Sequence, residues 1–197
     1  MLFRSLGGLE GAIGARAEEV LASLPADVQA ALPTVLRSLV TVGEGADASA
    51  TARYAARDRF AETSAPGRLI AALLAPGARL LVADGGTIRV AHEALLTHWE
   101  RARRQIGEDR NDLQLRARLE QAATLWREAS GPGRDSLLLA EGLPLSQAED
   151  LLSRRRDEIE PGLVEYVESS GAHVRHRRRR GTRRLVYVAA TLGVLTL

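Results

Sequence analysis

Asp84-Gly85-Gly86 separates two short β-leaning runs, Arg79-Leu80-Leu81-Val82 and Thr87-Ile88-Arg89-Val90. A connection this short needs residues that accept positive φ, and glycine does so without steric cost. The stretch therefore predicts a hairpin. From His92 onward the spacing changes, because Leu95, Trp99, Ala102 and Ile106 follow i, i+4, i+7 and i+11 and share one helical face. A hairpin set in a helical chain, with helices on both sides, is the outline of a winged-helix domain whose wing tip is Asp84–Gly86. The expected fold is mainly α with one small β-hairpin.

The flanking sequence reads as helices and short connections. Leu9, Ile13, Ala17, Val20, Leu21 and Leu24 form a helical stripe behind a start containing Gly7, Gly8, Gly11 and Gly14. Those glycines follow no strand, so they read as close helix packing rather than as a nucleotide-binding loop. Asp27 is the expected N-cap of a second helix carrying Val28, Leu32, Val35, Leu36 and Leu39, with Pro33 kinking or dividing it. After the small, polar Gly43–Ser49 loop, Thr51-Ala52-Arg53-Tyr54 is expected to be the strand that pairs with the hairpin. Helical segments follow around Ala56–Glu62 and Arg68–Leu74, and Pro76-Gly77 ends the second. Beyond the Trp99 helix, Leu115, Leu119, Ala122, Ala123 and Trp126 mark another amphipathic helix that stops at Gly131-Pro132-Gly133. Ala148, Leu151, Leu152 and Ile159 mark the next, and a last one begins near Pro161 with Leu163, Tyr166 and Val167.

Composition narrows the chemistry. The chain is 45% hydrophobic but 4% aromatic, so its core is Leu, Ala and Val, and all 27 basic residues are Arg. A P-loop places a Lys on the nucleotide phosphates, so a chain without Lys is expected to lack that loop and the hydrolysis it supports. Cysteine is absent as well, which removes disulfides and thiolate metal sites. Four His, two of them in the tail, and no HExxH spacing leave neither a metal centre nor an acid–base–nucleophile set. No catalytic residue and no metal ligand is expected.

Charge is strongly segregated. Residues 1–171 hold 20 Arg against 25 acids, a net of −5 (20 − 25), whereas 172–197 hold seven Arg and no acid. The high isoelectric point thus reports the tail, not a basic face on the folded body. Arg175, Arg177, Arg178, Arg179, Arg180, Arg183 and Arg184 precede thirteen uncharged residues, Leu185–Leu197. A basic cluster before an apolar run is the positive-inside signature. Thirteen residues fall short of the roughly 20 that span a bilayer, so the stretch is expected to be the start of a transmembrane helix. A surface-binding basic segment and a buried terminal helix are the alternatives.

The remaining candidates are His92 and Glu93, in Val90-Ala91-His92-Glu93-Ala94-Leu95-Leu96. At a strand-to-helix junction they either cap the helix or meet a phosphate oxygen at its N-terminus.

GGLEGAI, LVTVGEG, ARLLVADGGTIRVAHEALLTHWER, DRNDLQLRARLEQAATLW and the closing Arg-rich run together resemble the C-terminal part of the novel STAND NTPase 1 type of bacterial protein. The resemblance implies a winged helix (24–106) after the end of an upstream helical domain (1–23). A helical connector (107–171), an Arg-rich juxtamembrane segment (172–184) and the start of a membrane helix (185–197) would follow. It also implies a P-loop ATPase module upstream and a C-terminal sensor, often of WD repeats, as partners; that module's P-loop, Walker B acid and adenine-contacting proline are missing here. In the wider superfamily a Met-His-Asp motif follows the same hairpin, and its His touches the β-phosphate of ADP. Ala91 and Glu93 replace the Met and Asp, so the resemblance implies a nucleotide-sensing role for His92 and leaves that of Glu93 open. On this reading the chain is a non-catalytic signalling fragment that needs no cofactor of its own, ADP or ATP belonging to the ATPase module. It would be cytoplasmic and held at the inner membrane by its tail, with an anionic membrane surface as a further partner. A membrane-tethered DNA-binding regulator is the alternative. It is disfavoured because the segment before the wing, GRLIAALLAPGA, has only Arg68 ahead of the hairpin and the wing tip is acidic.

Overall fold

The computed structural model describes the backbone of residues 8–45, 48–131 and 133–194, and the side chains of 11–45, 48–131 and 133–180. The fold is mostly helical, with a two-stranded and a three-stranded antiparallel sheet, neither closed into a barrel. The chain divides into two compact units, Met1–Ala117 and Arg118–Leu197.

In the first unit, α1 (Gly8–Ala22) buries Ala17 and Leu21 completely. The expected second helix is two, α2 (Ala26–Gln29) and α3 (Leu32–Leu39). Pro25, not Asp27, holds the N-cap position of α2, and Pro33 sits in the first turn of α3, where its missing N–H leaves no bond unmade. Val40-Thr41-Val42 then forms β1, antiparallel to β2 (Ala50–Ala52). This corrects the expected pairing of residues 51–54 with the hairpin. Val40 and Val42 are fully buried and bring their own partner strand, and the Arg53 N–H extends that ladder to Leu39 O at 2.8 Å. The hairpin's partner is instead the two-residue β3 (Ala55–Ala56).

A short 3-10 turn at Arg57–Arg59 leads to α4 (Ala65–Leu74), whose cap Ser64 accepts from the Gly67 N–H at 3.1 Å. The hairpin forms as predicted. β4 (Leu81–Asp84) and β5 (Thr87–Val90) pair with Asp84 opposite Thr87, and Gly85 and Gly86 carry φ of 53° and 85°. The sheet order is β3-β5-β4, with Leu81, Ile88 and Val90 on the core side. Arg89 lies outside, 5.4 Å over the ring of exposed Tyr54.

The helix expected from His92 to Ile106 is broken. α5 (Ala94–His98) ends at Trp99, whose ψ of 103° is extended, and α6 (Glu100–Glu108) starts afresh. The four residues Leu95, Trp99, Ala102 and Ile106 are still all buried, because the break keeps both helices on one core. α1 packs against α5 at Gly14, where an added Cβ would sit 2.3 Å from His98 O.

The unit also buries charge. Arg37 Nη1 pairs with Asp109 Oδ2 at 3.0 Å, that oxygen accepts from Gln105 Nε2 at 2.8 Å, and buried Arg116 donates to Val40 O at 2.7 Å. These bonds tie α3, α6 and β1 to the start of α7 (Arg110–Glu128).

In the second unit Trp126 of α7, α8 (Leu143–Arg155) and α9 (Pro161–Val194) surround a core of Leu and Ala with Ile159, Val167 and one aromatic pair. Trp126 and Tyr166 stand 5.7 Å apart, Arg134 stacks on Trp126 at 4.0 Å, and Tyr166 Oη donates to Leu137 O at 2.9 Å. α9 starts at Pro161 as expected and carries the arginine cluster within the same helix as Leu185–Val194. Among the described residues no helix is long and apolar enough to cross a membrane. The expected transmembrane start and inner-membrane anchoring are therefore corrected. Residues 195–197 of the run after Arg184 lie outside those described.

Two glycines of α1 are expected to respond with opposite signs. Gly14→Ala forces α1 off the α5 backbone and is expected to cost about 1–3 kcal/mol. Gly11→Ala, with nothing within 4 Å of an added Cβ, is expected to stabilise by about 0.5–1 kcal/mol. Chemical denaturation of the two variants checks this; equal responses would refute the close α1–α5 contact.

Candidate functional site

The corner after β5 is fixed by backbone bonds before any side chain contributes. Leu80 N donates to Leu73 O and Ala91 N to Leu80 O, both at 3.0 Å, so α4, the base of β4 and the end of β5 are locked in sequence. His92 and Glu93 follow directly, and both are exposed. His92 O accepts from Leu95 N at 2.9 Å and opens the single turn of α5.

The two predicted residues go separate ways. Glu93 Oε1 accepts from the Ala52 N–H at 3.3 Å, which ties the end of β2 to the start of α5. Glu93 makes no cap bond to its own helix. His92 lines a cavity of about 190 Å³ with Ile13, Arg16, Arg79, Leu80 and Leu95 among its walls. Among the described residues its imidazole has no hydrogen-bond or ionic partner. The cavity floor is apolar and no carboxylate lines it.

Neither Arg16 nor Arg79 belongs to a motif in the sequence: Arg16 reads as an isolated arginine on a helix, and Arg79 as the first residue of a β-run that in the structure begins only at Leu81. Arg16 projects from α1, donating Nη2 to Gly77 O at 3.0 Å and Nη1 to Glu19 Oε2 at 2.6 Å. Arg79 lies in the turn from α4 to β4 at φ 49°, the one non-glycine residue with positive φ among those described. Its N–H closes the helix end on Ala75 O at 3.0 Å, the place a glycine commonly takes. Holding an arginine there costs on the order of 1 kcal/mol or more.

A second cavity, about 600 Å³, lies between α1 and the α5–α6 break and mixes Glu18, Glu100, His98, Arg101 and Arg104. Here Glu18 takes a hydrogen bond from buried Trp99 Nε1 at 2.8 Å and another from Arg101. The indole donation, with the nearby guanidinium adding to it, holds the Glu18 carboxyl below its ordinary value. Among the described residues no group of His, Asp and Glu is placed to hold a metal. Arg175, Arg177, Arg178, Arg179 and Arg180 are exposed on α9, with Arg178 paired to Glu141. Arg183 and Arg184 lie beyond the described side chains.

The family model for Novel STAND NTPase 1 matches residues 2–142. No curated protein and no solved structure matches. The match covers most of the chain and corrects three expectations. The family's own domain is what the chain carries, so it is not a remnant from which the NTPase part is missing. The readings as a non-catalytic fragment and as not an enzyme fall with it, because the matched family is one of NTPases. The absence of lysine excludes one means of cradling phosphate. It does not exclude phosphate chemistry in a chain where arginine carries every cationic role.

Because the Glu18 carboxyl is held low in the folded state and is ordinary in the unfolded one, its stabilising contribution is complete above about pH 4.5. It is lost as the pH falls below that value, through the lowered folded-state value. Thermal melts between pH 7 and pH 3 are expected to show this acid loss in the wild type and a shallower one in Glu18→Gln. Parallel curves would refute a structural charge at Glu18.

Proposed function

We propose, since the chain belongs to the Novel STAND NTPase 1 family, that it binds a nucleoside phosphate and that His92 is the side chain that senses it. The observation that carries this reading is the His92 imidazole, exposed and unpartnered among the described residues at the wall of an apolar-floored cavity. An imidazole can donate to a phosphate oxygen in either protonation state and gains strength when charged. Glu93 supports the role at one remove, since its bond to Ala52 N holds the corner from which His92 projects.

We read residues 24–106 as a winged helix. The order β3-β5-β4, with the hairpin's second strand central and its first at the edge, supports that reading. So do α4 immediately before the hairpin and the tight Gly85-Gly86 tip. In this arrangement the site belongs to the root of the wing, opposite its tip, where Leu80 N bonds Leu73 O and Ala91 N bonds Leu80 O.

Calorimetry of the whole chain with ADP and ATP tests the reading. His92→Ala is expected to weaken nucleotide binding by about 1–3 kcal/mol, five- to hundred-fold, while leaving stability within about 0.5 kcal/mol. Leu96→Ala, which empties a buried position on the same helix but outside the cavity lining, is expected to cost about 2–5 kcal/mol of stability without a selective effect on the nucleotide. Unchanged nucleotide affinity in folded His92→Ala would make His92 a surface residue and nothing more.

A further inference from the structure

We infer that Arg16 and Arg79 complete, with His92, a phosphate-binding cavity whose ligand is the doubly charged phosphate end of a nucleotide; this rests on the nucleotide reading above. Three elements distant in sequence each deliver one nitrogen-bearing side chain to the same walls. They are α1, the turn from α4 to β4, and the corner after β5. Arginines at a shared cavity repel one another in the absence of an anion, and no carboxylate among the lining residues offsets them. Glu19 holds Arg16 from outside the lining, in an exposed pair that contributes little and yields readily to a stronger anion.

The two side chains are also anchored to one turn. Arg16 Nη2 is bonded to Gly77 O, in the turn that carries Arg79, and Arg79 Nε is bonded to Pro76 O at 3.1 Å in that turn. Among the described residues this is the one bond of the Arg79 side chain, which leaves both terminal nitrogens for a ligand. A planar fork of this kind suits two oxygens of one phosphate. The left-handed backbone at Arg79 points the same way. Glycine would fit that turn without strain, and an arginine there is explained by what its side chain binds. At about 190 Å³ the cavity is smaller than the roughly 300–1,000 Å³ of sites that enclose whole small molecules, so it takes the charged end and leaves the rest outside.

The test is isothermal titration of the full chain with inorganic phosphate, pyrophosphate and ADP, on wild type, Arg79→Gly, Arg16→Gln and His92→Ala. Arg68→Gln, which removes an exposed arginine paired with Asp27, is the control for general charge loss. Arg79→Gly relieves the backbone and removes the guanidinium, so its melting temperature is expected to hold or rise. Its affinity for pyrophosphate and ADP is expected to fall roughly tenfold or more, as is that of Arg16→Gln, with Arg68→Gln unchanged. If ADP binds and responds to His92→Ala but not to either arginine variant, the arginine site is overturned and the nucleotide reading survives. If pyrophosphate or inorganic phosphate binds in an arginine-dependent way but ADP does not bind, the anion site stands and the nucleotide reading falls. Absence of binding by all three anions overturns both.

Discussion

Gly14 lets two backbones touch. With a side chain at that position, α1 could not approach His98 O, and the helix would stand off from α5. The close approach lets Glu18 reach the indole N–H of buried Trp99, which is held where the chain breaks between α5 and α6. It also sets Arg16, two residues beyond Gly14, beside the corner that carries His92. One missing Cβ thus underlies both the packing of the first unit and the assembly of its candidate site.

The site itself is built on rigid backbone rather than on a loop free to adapt. Leu80 sits between Leu73 O and Ala91 N, and Leu95 closes the floor beneath. Such a base holds exposed side chains at fixed separation, which a charged ligand requires, since the favourable geometry of a guanidinium with an oxyanion is narrow. The strained Arg79 belongs to this economy. A turn stabilised by three neighbouring backbone bonds tolerates one unfavourable φ, and a local cost is retained where a side chain has work to perform.

The second unit is organised differently, around an aromatic pair with its polar ends satisfied. The Tyr166 hydroxyl reaches Leu137 O, and Ser170, fully buried, accepts from Leu139 N while donating to Tyr166 O. These bonds hold the irregular stretch before α8 against α9 without a long hydrophobic run. They also account for a polar serine in an otherwise apolar interior, because each of its hydrogen-bonding groups is used.

The sequence by itself determined what depends on neighbours in the chain. The hairpin at Asp84–Gly86, the start of α9 at Pro161 and the buried faces of Leu95, Trp99, Ala102 and Ile106 follow from turn chemistry and periodicity. Tertiary structure decided what depends on partners. Whether Thr51–Ala52 pairs with the hairpin or with Val40–Val42 is a choice between two acceptable strands, settled by which one is already buried. The break at Trp99 is invisible to a helical period because it preserves the buried face, and it forms where Glu18 takes the indole N–H. Arg37, Asp109 and Arg116 read as surface charges until long-range contacts remove them from water. His92 was legible as a candidate from its place after the strand. Arg16 and Arg79 were not, because residues 63 positions apart (79 − 16) form one cavity only when α1 has packed against α5.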